Sequence, residues 1–510
     1  MKPIRFLAGI LFVCAILFIT CEPNESPNSS KPVAAPAVPY HGLPLCDPKA
    51  KASHLQGSLI LPFAQDIPGF PNPDSMINFL QHAADVYSWE TFIAMNWLAD
   101  SMGNPDKAVC FGTQDGVTVW EHWMPSNKVM IRNGEMPPEW QGGLNSQGIP
   151  LNTGYEPALK QIANLPGDDY EDFGFDLNDL VHPDILGNLN PEAKPVVDQD
   201  KQFTLYEVFW NKVAYDYVKA TRLYNQEGRK WFSENWPNAT KGLTITTPDG
   251  DTFNIANKYQ RAYFSIGNAI DSTEKDSATG DIYQYTIDQG SILIKSGWKP
   301  LSEEDDKSRY HVRKVIYENG EELHLGLVAF HAMHKVAEAP QWVWTTFEHI
   351  DVSPEMAANG ELEIDPNTDY LYFNKAKASD SSIINKPPPP KDGPGHQYMD
   401  VPTQVVEDYL GKYSPNKVNK IFHDLIRKAN EESVWLNYRL VGTQWPFDPS
   451  VFGTDDSDPQ PTHLANALME TYYQTESSCL GCHQHSHFLQ TTSNREGYFA
   501  DYIWALHFGK

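Results

Sequence analysis

Tyr310-His311-Val312-Arg313-Lys314-Val315-Ile316-Tyr317, followed by Glu318-Asn319-Gly320 and then by Leu323-His324-Leu325-Gly326-Leu327-Val328-Ala329-Phe330-His331-Ala332-Met333, reads as two strands joined by a tight turn. Asn-Gly between two apolar runs is a strong short-range hairpin signal, because both residues tolerate the left-handed backbone that such turns require. In the second run Leu323, Leu325, Leu327 and Ala329 fall on one face, with Val328 and Phe330 on the other. If the strand continues unbroken, His331 and Met333 share the face of Leu327, and His334 points the opposite way.

Strand signals extend outward from this hairpin. Ser291–Trp298 is apolar and bounded by glycines, and Trp342–Ile350 follows the break at Ala339-Pro340. The strand-rich stretch runs from about residue 243 to 375. Before it, Asp74–Asp100 reads as a helix and turn, with Met76, Phe79, Leu80, Ala83, Ala84 and Tyr87 at helical spacing and Asp74-Ser75 as N-cap. Lys201–Trp236 reads as a second helical stretch whose aromatics, Phe209, Trp210, Tyr215, Tyr217 and Trp231, pack in a core. After the proline-rich loop Lys386–Gly395, Val401–Glu432 reads as a long helix interrupted near Gly411–Pro415. His463–Tyr473 reads as another, with Leu464, Ala467, Leu468 and Tyr472 on one face. The expected fold is α+β, with helical N- and C-terminal parts around a mostly antiparallel β middle.

The chemistry lies near the C-terminus. Cys479-Leu480-Gly481-Cys482-His483 has the spacing of a c-type haem attachment motif. Two intervening residues place both sulfurs along one porphyrin edge, where each thiol adds to a vinyl group. The next residue, His483, then lies beneath the iron as proximal ligand. A redox dithiol, a zinc site recruiting His483, His485 and His487, and a disulfide are the alternatives. Only 28 residues follow Cys482, and none is Met; the last is Met469. Small soluble cytochromes c draw a Met ligand from well downstream, so that fold is not expected. Candidates for the distal ligand are His331, His334, His349, Met469 and His507, with His485 and His487 also nearby in sequence.

The N-terminus sets the compartment. Lys2 and Arg5 precede a 15-residue uncharged apolar run, Phe6–Thr20, which is short for a membrane span and suits a signal-peptide core. Leu17-Phe18-Ile19-Thr20-Cys21 resembles a bacterial lipoprotein signal, which implies cleavage and a lipid on Cys21. An uncleaved anchor is the alternative. Either way the chain is expected in the cell envelope, as a periplasmic or outer-membrane protein on a membrane tether. The expected organisation is a signal peptide over 1–20, a Pro-, Ser- and Ala-rich tether over 21–45, and one large haem-binding body over 46–510, with its haem-attachment segment over about 400–510. Of 6 cysteines, Cys14 leaves with the signal peptide, Cys21 takes the lipid, and Cys479 and Cys482 take haem. Cys46 and Cys110 remain, as a disulfide or as two buried thiols.

Composition narrows the partners. The 510 residues are 41% hydrophobic and 12% aromatic, enough for a large core and against disorder. Lys and Arg total 39 against 66 Asp and Glu, and losing Lys2 and Arg5 takes the net charge from −27 to −29. That balance repels phosphate backbones, so no nucleic-acid partner is expected, and it favours a redox partner with a basic surface. The acidic loops Asp249-Gly250-Asp251 and Asp455-Asp456-Ser457-Asp458 lack EF-hand spacing and read as solvated. No phosphate-binding glycine loop or GxSxG elbow occurs.

Four further stretches carry a family likeness. These are Trp89-Glu90-Thr91-Phe92-Ile93-Ala94-Met95-Asn96-Trp97, Pro340-Gln341-Trp342-Val343-Trp344-Thr345-Thr346-Phe347-Glu348-His349, Val441-Gly442-Thr443-Gln444-Trp445-Pro446, and Leu464-Ala465-Asn466 ahead of the CxxCH motif. Together they resemble a group of uncharacterised bacterial cytochrome c family proteins with a single haem motif close to the C-terminus. The likeness covers most of the chain after about residue 45. It implies one covalent haem c on Cys479, Cys482 and His483, and no particular reaction. Three functions are then open. The first is electron transfer by an exported mono-haem c-type cytochrome. The second is a haem peroxidase or oxygenase with an open distal site, assisted by Glu348 or Arg439. The third is a haem-based sensor or binding module.

Overall fold

The two strands expected within residues 310–333 pair with each other in an eight-stranded sheet in the computed structural model, and the expected Asn319-Gly320 turn between them lies outside the described residues. The structure describes residues 73–508 apart from 107, 113–115, 132, 147, 154–194, 236–242, 247–251, 256–261, 267–271, 276–281, 286–289, 317–321, 337–338, 358, 390–400, 409–413, 448–457 and 489–497. The sheet strands are β1 (Met124–Pro125), β2 (Leu205–Trp210), β3 (Ile292–Pro300), β4 (Val312–Ile316), β5 (Glu322–His334), β6 (Val343–His349), β7 (Tyr438–Pro446) and β8 (Pro459–Gln460). Their order is β1-β2-β3-β5-β6-β7-β8, and β4 pairs with β5 off this path. Every pairing in this sheet is antiparallel. β4 takes one edge of β5 over Glu322–Gly326, and β6 takes the same edge over Ala329–His334. The fold is α+β and is not that of a small cytochrome c.

The alternation along β5 differs from the expected one. Between the pairs Gly297–Ala329 and Trp298–Leu327 the register with β3 shifts by one residue, leaving Val328 as the extra residue of a β-bulge. A single inserted residue reverses which face each later side chain meets. Leu325 and Leu327 therefore share a core with Phe330 and Ala332, while Val328 and Ala329 join a separate core on the other face. His331 and Met333 lie opposite Leu327 rather than beside it, and His334 takes Leu327's side. Gly297 stands at this bulge because a Cβ there would meet the Ala329 methyl at 3.1 Å.

One face of the sheet is covered by α1 (Pro73–Met95) and α4 (Asn416–Ala429), the first and fourth of five helices named here. The expected helix at Asp74–Asp100 is present, but it starts at Pro73. Proline suits a first helical position, where its missing N–H has no intrahelical partner anyway. Trp89 anchors the face. It stacks on Phe422 (ring centroids 5.3 Å apart), meets Phe347 edge-on, and donates its indole N–H to Asn419 at 2.8 Å. Ser88 bonds the hydroxyls of Thr345 on β6 and Thr443 on β7, each at 2.7 Å, so buried polar groups also dock α1.

Three expected helices change. Lys201–Trp236 opens with strand β2 and turns helical only as α2 (Lys212–Thr221) and α3 (Gln226–Asn235). The break is Asn211, whose side-chain oxygen accepts both the Ala214 N–H, as a helix cap, and the Ile292 N–H of β3. Phe209, Trp210, Tyr215 and Tyr217 are buried as expected, whereas Trp231 is half exposed. Among the described residues of Val401–Glu432 the only helix is α4; before it, Glu407–Asp408 pairs in parallel with Glu355–Met356. His463–Tyr473 is irregular, with turns from Ala467 onward. There the Asn466 side chain accepts from the N–H groups of Leu468 and Met469 and donates to Thr346 and to the Phe347 carbonyl. Asn competes with helical backbone bonding in this way, although Leu464, Ala467 and Leu468 still reach the core.

Beyond the sheet, Leu243–Thr246 with Thr252–Ile255 and Ser272–Lys275 with Ile282–Tyr285 form separate two-stranded ribbons. All the described residues belong to one compact unit. No helix among them is long and apolar enough to cross a membrane. The expected signal segment, Cys21 and the tether lie outside the described residues.

Candidate haem-attachment site

The sheet face away from α1 carries the CxxCH motif. Cys479–His483 forms the short helix α5. Ser478 caps it, its hydroxyl accepting the Gly481 N–H at 3.1 Å. A Cβ at Gly481 would lie 3.0 Å from both Cβ and Oγ of Ser478, so the missing side chain makes room for the cap. Gln444 on β7 fixes the same turn to the sheet. Its Oε1 accepts the Leu480 N–H at 2.7 Å and the Ser478 hydroxyl at 3.3 Å.

Two rungs of the sheet form the floor. In one, Trp210, Leu293, Met333, Trp344 and Gln444 stand side by side on β2, β3, β5, β6 and β7. In the next, Val208, Lys295, His331, Thr346 and Gly442 do the same. Directly opposed residues point to one face, so each rung presents a continuous row of side chains. Leu480 packs with Trp210, Leu293, Met333 and Trp344 of the first rung. The Trp344 ring lies 4.5 Å, centroid to centroid, from that of His483.

The His483 ring is oriented by the chain beyond it. Its Nδ1 lies 2.7 Å from the Tyr502 carbonyl oxygen. A carbonyl only accepts, so Nδ1 carries the proton and Nε2 holds a lone pair. Metal-binding imidazoles are commonly arranged in this way, with the distal nitrogen donating to a fixed acceptor. Burial pushes the His483 pKa down to about 4, keeping the ring in its neutral, ligating form. Asp501 and Tyr502 both have positive φ, 53° and 70°, in the left-handed region that non-glycine residues seldom enter. Asp501 holds this bend. Its carboxylate accepts from Lys335 at 2.6 and 2.7 Å and from the Phe264 N–H, and its carbonyl accepts the Trp342 indole N–H.

Cys479 and Cys482 are free thiols. Burial raises both pKa values, with the Glu470 carboxylate adding to the effect. A reactive redox dithiol has a thiol pKa lowered below its ordinary value, so these surroundings speak against that alternative. Nor do three or more His, Cys, Asp or Glu side chains converge as metal ligands among the described residues. Two neighbouring thiols followed by an imidazole with its Nε2 lone pair oriented fit a covalently held haem, with one protein ligand from the motif itself.

The other expected residues divide. His331 stands in the second rung and interacts electrostatically with His483. Its Nε2 is buried without a hydrogen-bond partner, 3.6 Å from the Glu470 carboxylate. His334 is on the α1 face, where Nδ1 bonds the Tyr87 hydroxyl. Both ring nitrogens of His349 are engaged: Nε2 donates to the Arg309 carbonyl and Nδ1 accepts the Asp351 N–H. Met469 is buried with Tyr206, Val328 and Leu468. His507's side chain lies outside the described residues. Cys110 is disulfide-bonded; Cys46, its expected partner, lies outside them. Glu348 and Arg439 do not meet His483. They pair with each other at 2.7 Å, and Arg439 also pairs with Glu355 and Glu407. Glu348 lies four residues along β6 from Trp344, about 13 Å in an extended strand.

Sequence reading missed Glu470, Lys295, Gln444 and Tyr502. Glu470 accepts the Asn466 N–H at 2.7 Å, and burial outweighs nearby Lys295 to push its pKa up to about 7. Only the strand register could have found Lys295, which pairs directly with His331. Compared with protein-family models, curated proteins and solved structures, the chain matches none.

Proposed function

We propose that the protein is an exported, membrane-tethered mono-haem c-type cytochrome that acts in electron transfer. The observation that carries this reading is the turn at Cys479–His483, with two free thiols and an imidazole whose Nδ1 is committed to the Tyr502 carbonyl. When bound, the haem iron supplies a one-electron couple. Cys479 and Cys482 would hold the porphyrin through thioethers, and His483 Nε2 would ligate the iron. Ser478 and Gln444 hold the turn, and Trp344 packs against the imidazole. The acidic surface would steer a partner with a basic face.

The test is expression of the full chain with a c-type maturation system. Haem should stay with the polypeptide through acid–acetone extraction and give a thioether-type pyridine haemochrome. It should be lost in the Cys479→Ser/Cys482→Ser double variant. Extraction of all haem from the wild type refutes the attachment site. Rapid turnover of peroxide by the purified holoprotein would replace electron transfer with the enzyme reading. Radioactive palmitate should label the wild type and not Cys21→Ala; equal labelling of both refutes the lipid tether.

A further inference from the structure

We infer that His331 supplies the sixth ligand of the haem iron, opposite His483, an assignment that rests on the c-type reading of the motif. Position is the first argument. His331 is two residues along β5 from Met333, on the same face, and Met333 pairs with Trp344, whose ring touches His483. Two residues of strand span about 7 Å, so His331 stands one rung from the Met333–Trp344 pair on which the proximal imidazole packs. The bulge at Val328 is what puts it there.

The second argument is its unfilled valence. His331 Nε2 is buried and makes no hydrogen bond. The nearest carboxylate oxygen, on Glu470, lies at 3.6 Å, beyond hydrogen-bond reach. Glu470 already accepts the Asn466 N–H. Buried polar atoms in folded proteins are nearly always satisfied, and an exception calls for a missing partner. The other imidazole nitrogen in this state among the described residues is His122 Nε2, and that ring packs against the Gly103 turn. Two of the rival ligands are elsewhere committed. His334 bonds Tyr87 on the far face, and His349 uses both nitrogens.

A bare buried imidazole would be poorly placed for hydrogen bonding, whereas a metal-bound one needs none at Nε2.

Near-infrared magnetic circular dichroism of the ferric wild-type holoprotein is the deciding measurement. It should report low-spin bis-imidazole ligation. His331→Ala should keep its covalent haem, turn high-spin, bind CO when reduced, and recover a low-spin spectrum when imidazole is added. His331→Met should stay low-spin and move to a higher potential, as thioether ligation raises it. Thioether or five-coordinate ligation in the wild type overturns the assignment while leaving the attachment site intact. So does an unchanged low-spin spectrum in His331→Ala. Absence of covalent haem from the wild type overturns both this inference and the reading beneath it. His331→Met, which keeps a ligating side chain at the position, decides the question if His331→Ala fails to fold: a spectrum and potential identical to the wild type's overturn the assignment.

Discussion

The Nδ1 of His483 lies 2.7 Å from the carbonyl oxygen of Tyr502, which is held in a left-handed bend beside the buried Asp501–Lys335 ion pair. The imidazole that follows the two thiols is therefore aimed by a chain segment some twenty residues downstream. That segment is anchored to the sheet by a charge pair with both side chains fully buried.

Asp501→Ala should be among the most damaging single changes near the site. It leaves the Lys335 ammonium buried without its counter-ion, at a cost of about 3–5 kcal/mol. Urea unfolding of the variant should show that loss. The holoprotein should also change potential, because the bend that fixes the Tyr502 carbonyl against the His483 ring loses its anchor. Lys335→Met, which removes the other charge, should cost a comparable amount because the buried Asp501 carboxylate loses that cation.

Gln444→Leu should loosen α5 without touching a cysteine. The Leu480 N–H and the Ser478 hydroxyl both lose an acceptor, worth about 1–3 kcal/mol for the buried amide. Ser478→Ala should cost about 1 kcal/mol as a lost helix cap. Covalent haem yield in a maturation-competent host should fall in both, further in Gln444→Leu. Equal yields in wild type and Gln444→Leu would contradict the anchoring role.

Acid should destabilise the protein through its buried neutral histidines. Burial lowers His349 from an ordinary 6.5 to about 4 and His334 to about 3. A lowered folded pKa means that the unfolded chain takes up the proton first. The stabilising contribution is thus full above pH 6.5 and is lost as the pH falls through 4. For His349 the loss amounts to about 3 kcal/mol. Comparing urea midpoints at pH 7 and pH 4 should show a smaller drop for His349→Gln than for the wild type.

Peptide mapping under non-reducing conditions should recover Cys46 cross-linked to Cys110. Cys110 is oxidised in the structure, while Cys479 and Cys482 are free. Reduction should lower stability by about 2–4 kcal/mol. A Cys110 peptide joined to any other cysteine would redraw the count.

The hairpin, the α+β class and the long first helix were legible because each rests on a local signal: Asn319-Gly320, the apolar alternation, and the spacing of Leu80, Ala84 and Tyr87. The CxxCH motif was legible because its chemistry is contiguous. The misread helices share a cause. Lys201–Trp210 holds no glycine or proline and Val401–Asp408 only Pro402, and their backbone partners lie far away in sequence. Asn466 and Asn211 redirect the chain through single side-chain bonds that no periodicity reveals. The floor of the site escaped for a related reason. Lys295, His331, Thr346 and Gly442 become neighbours only through strand register, and one bulge reverses the facing of His331.

That bulge lets one strand carry two phases of alternation. Val328 and Ala329 follow each other on the same face, so Leu327 before them and Phe330 after them both reach the α1 side. Were Val328 taken up as an ordinary strand residue, His331 would turn toward α1 and Phe330 toward α5. Removing Val328 altogether leaves Leu327 and Ala329 as neighbours opposite Trp298 and Gly297, with His331 still on the α5 side. Deletion of Val328 should therefore preserve the facing of His331.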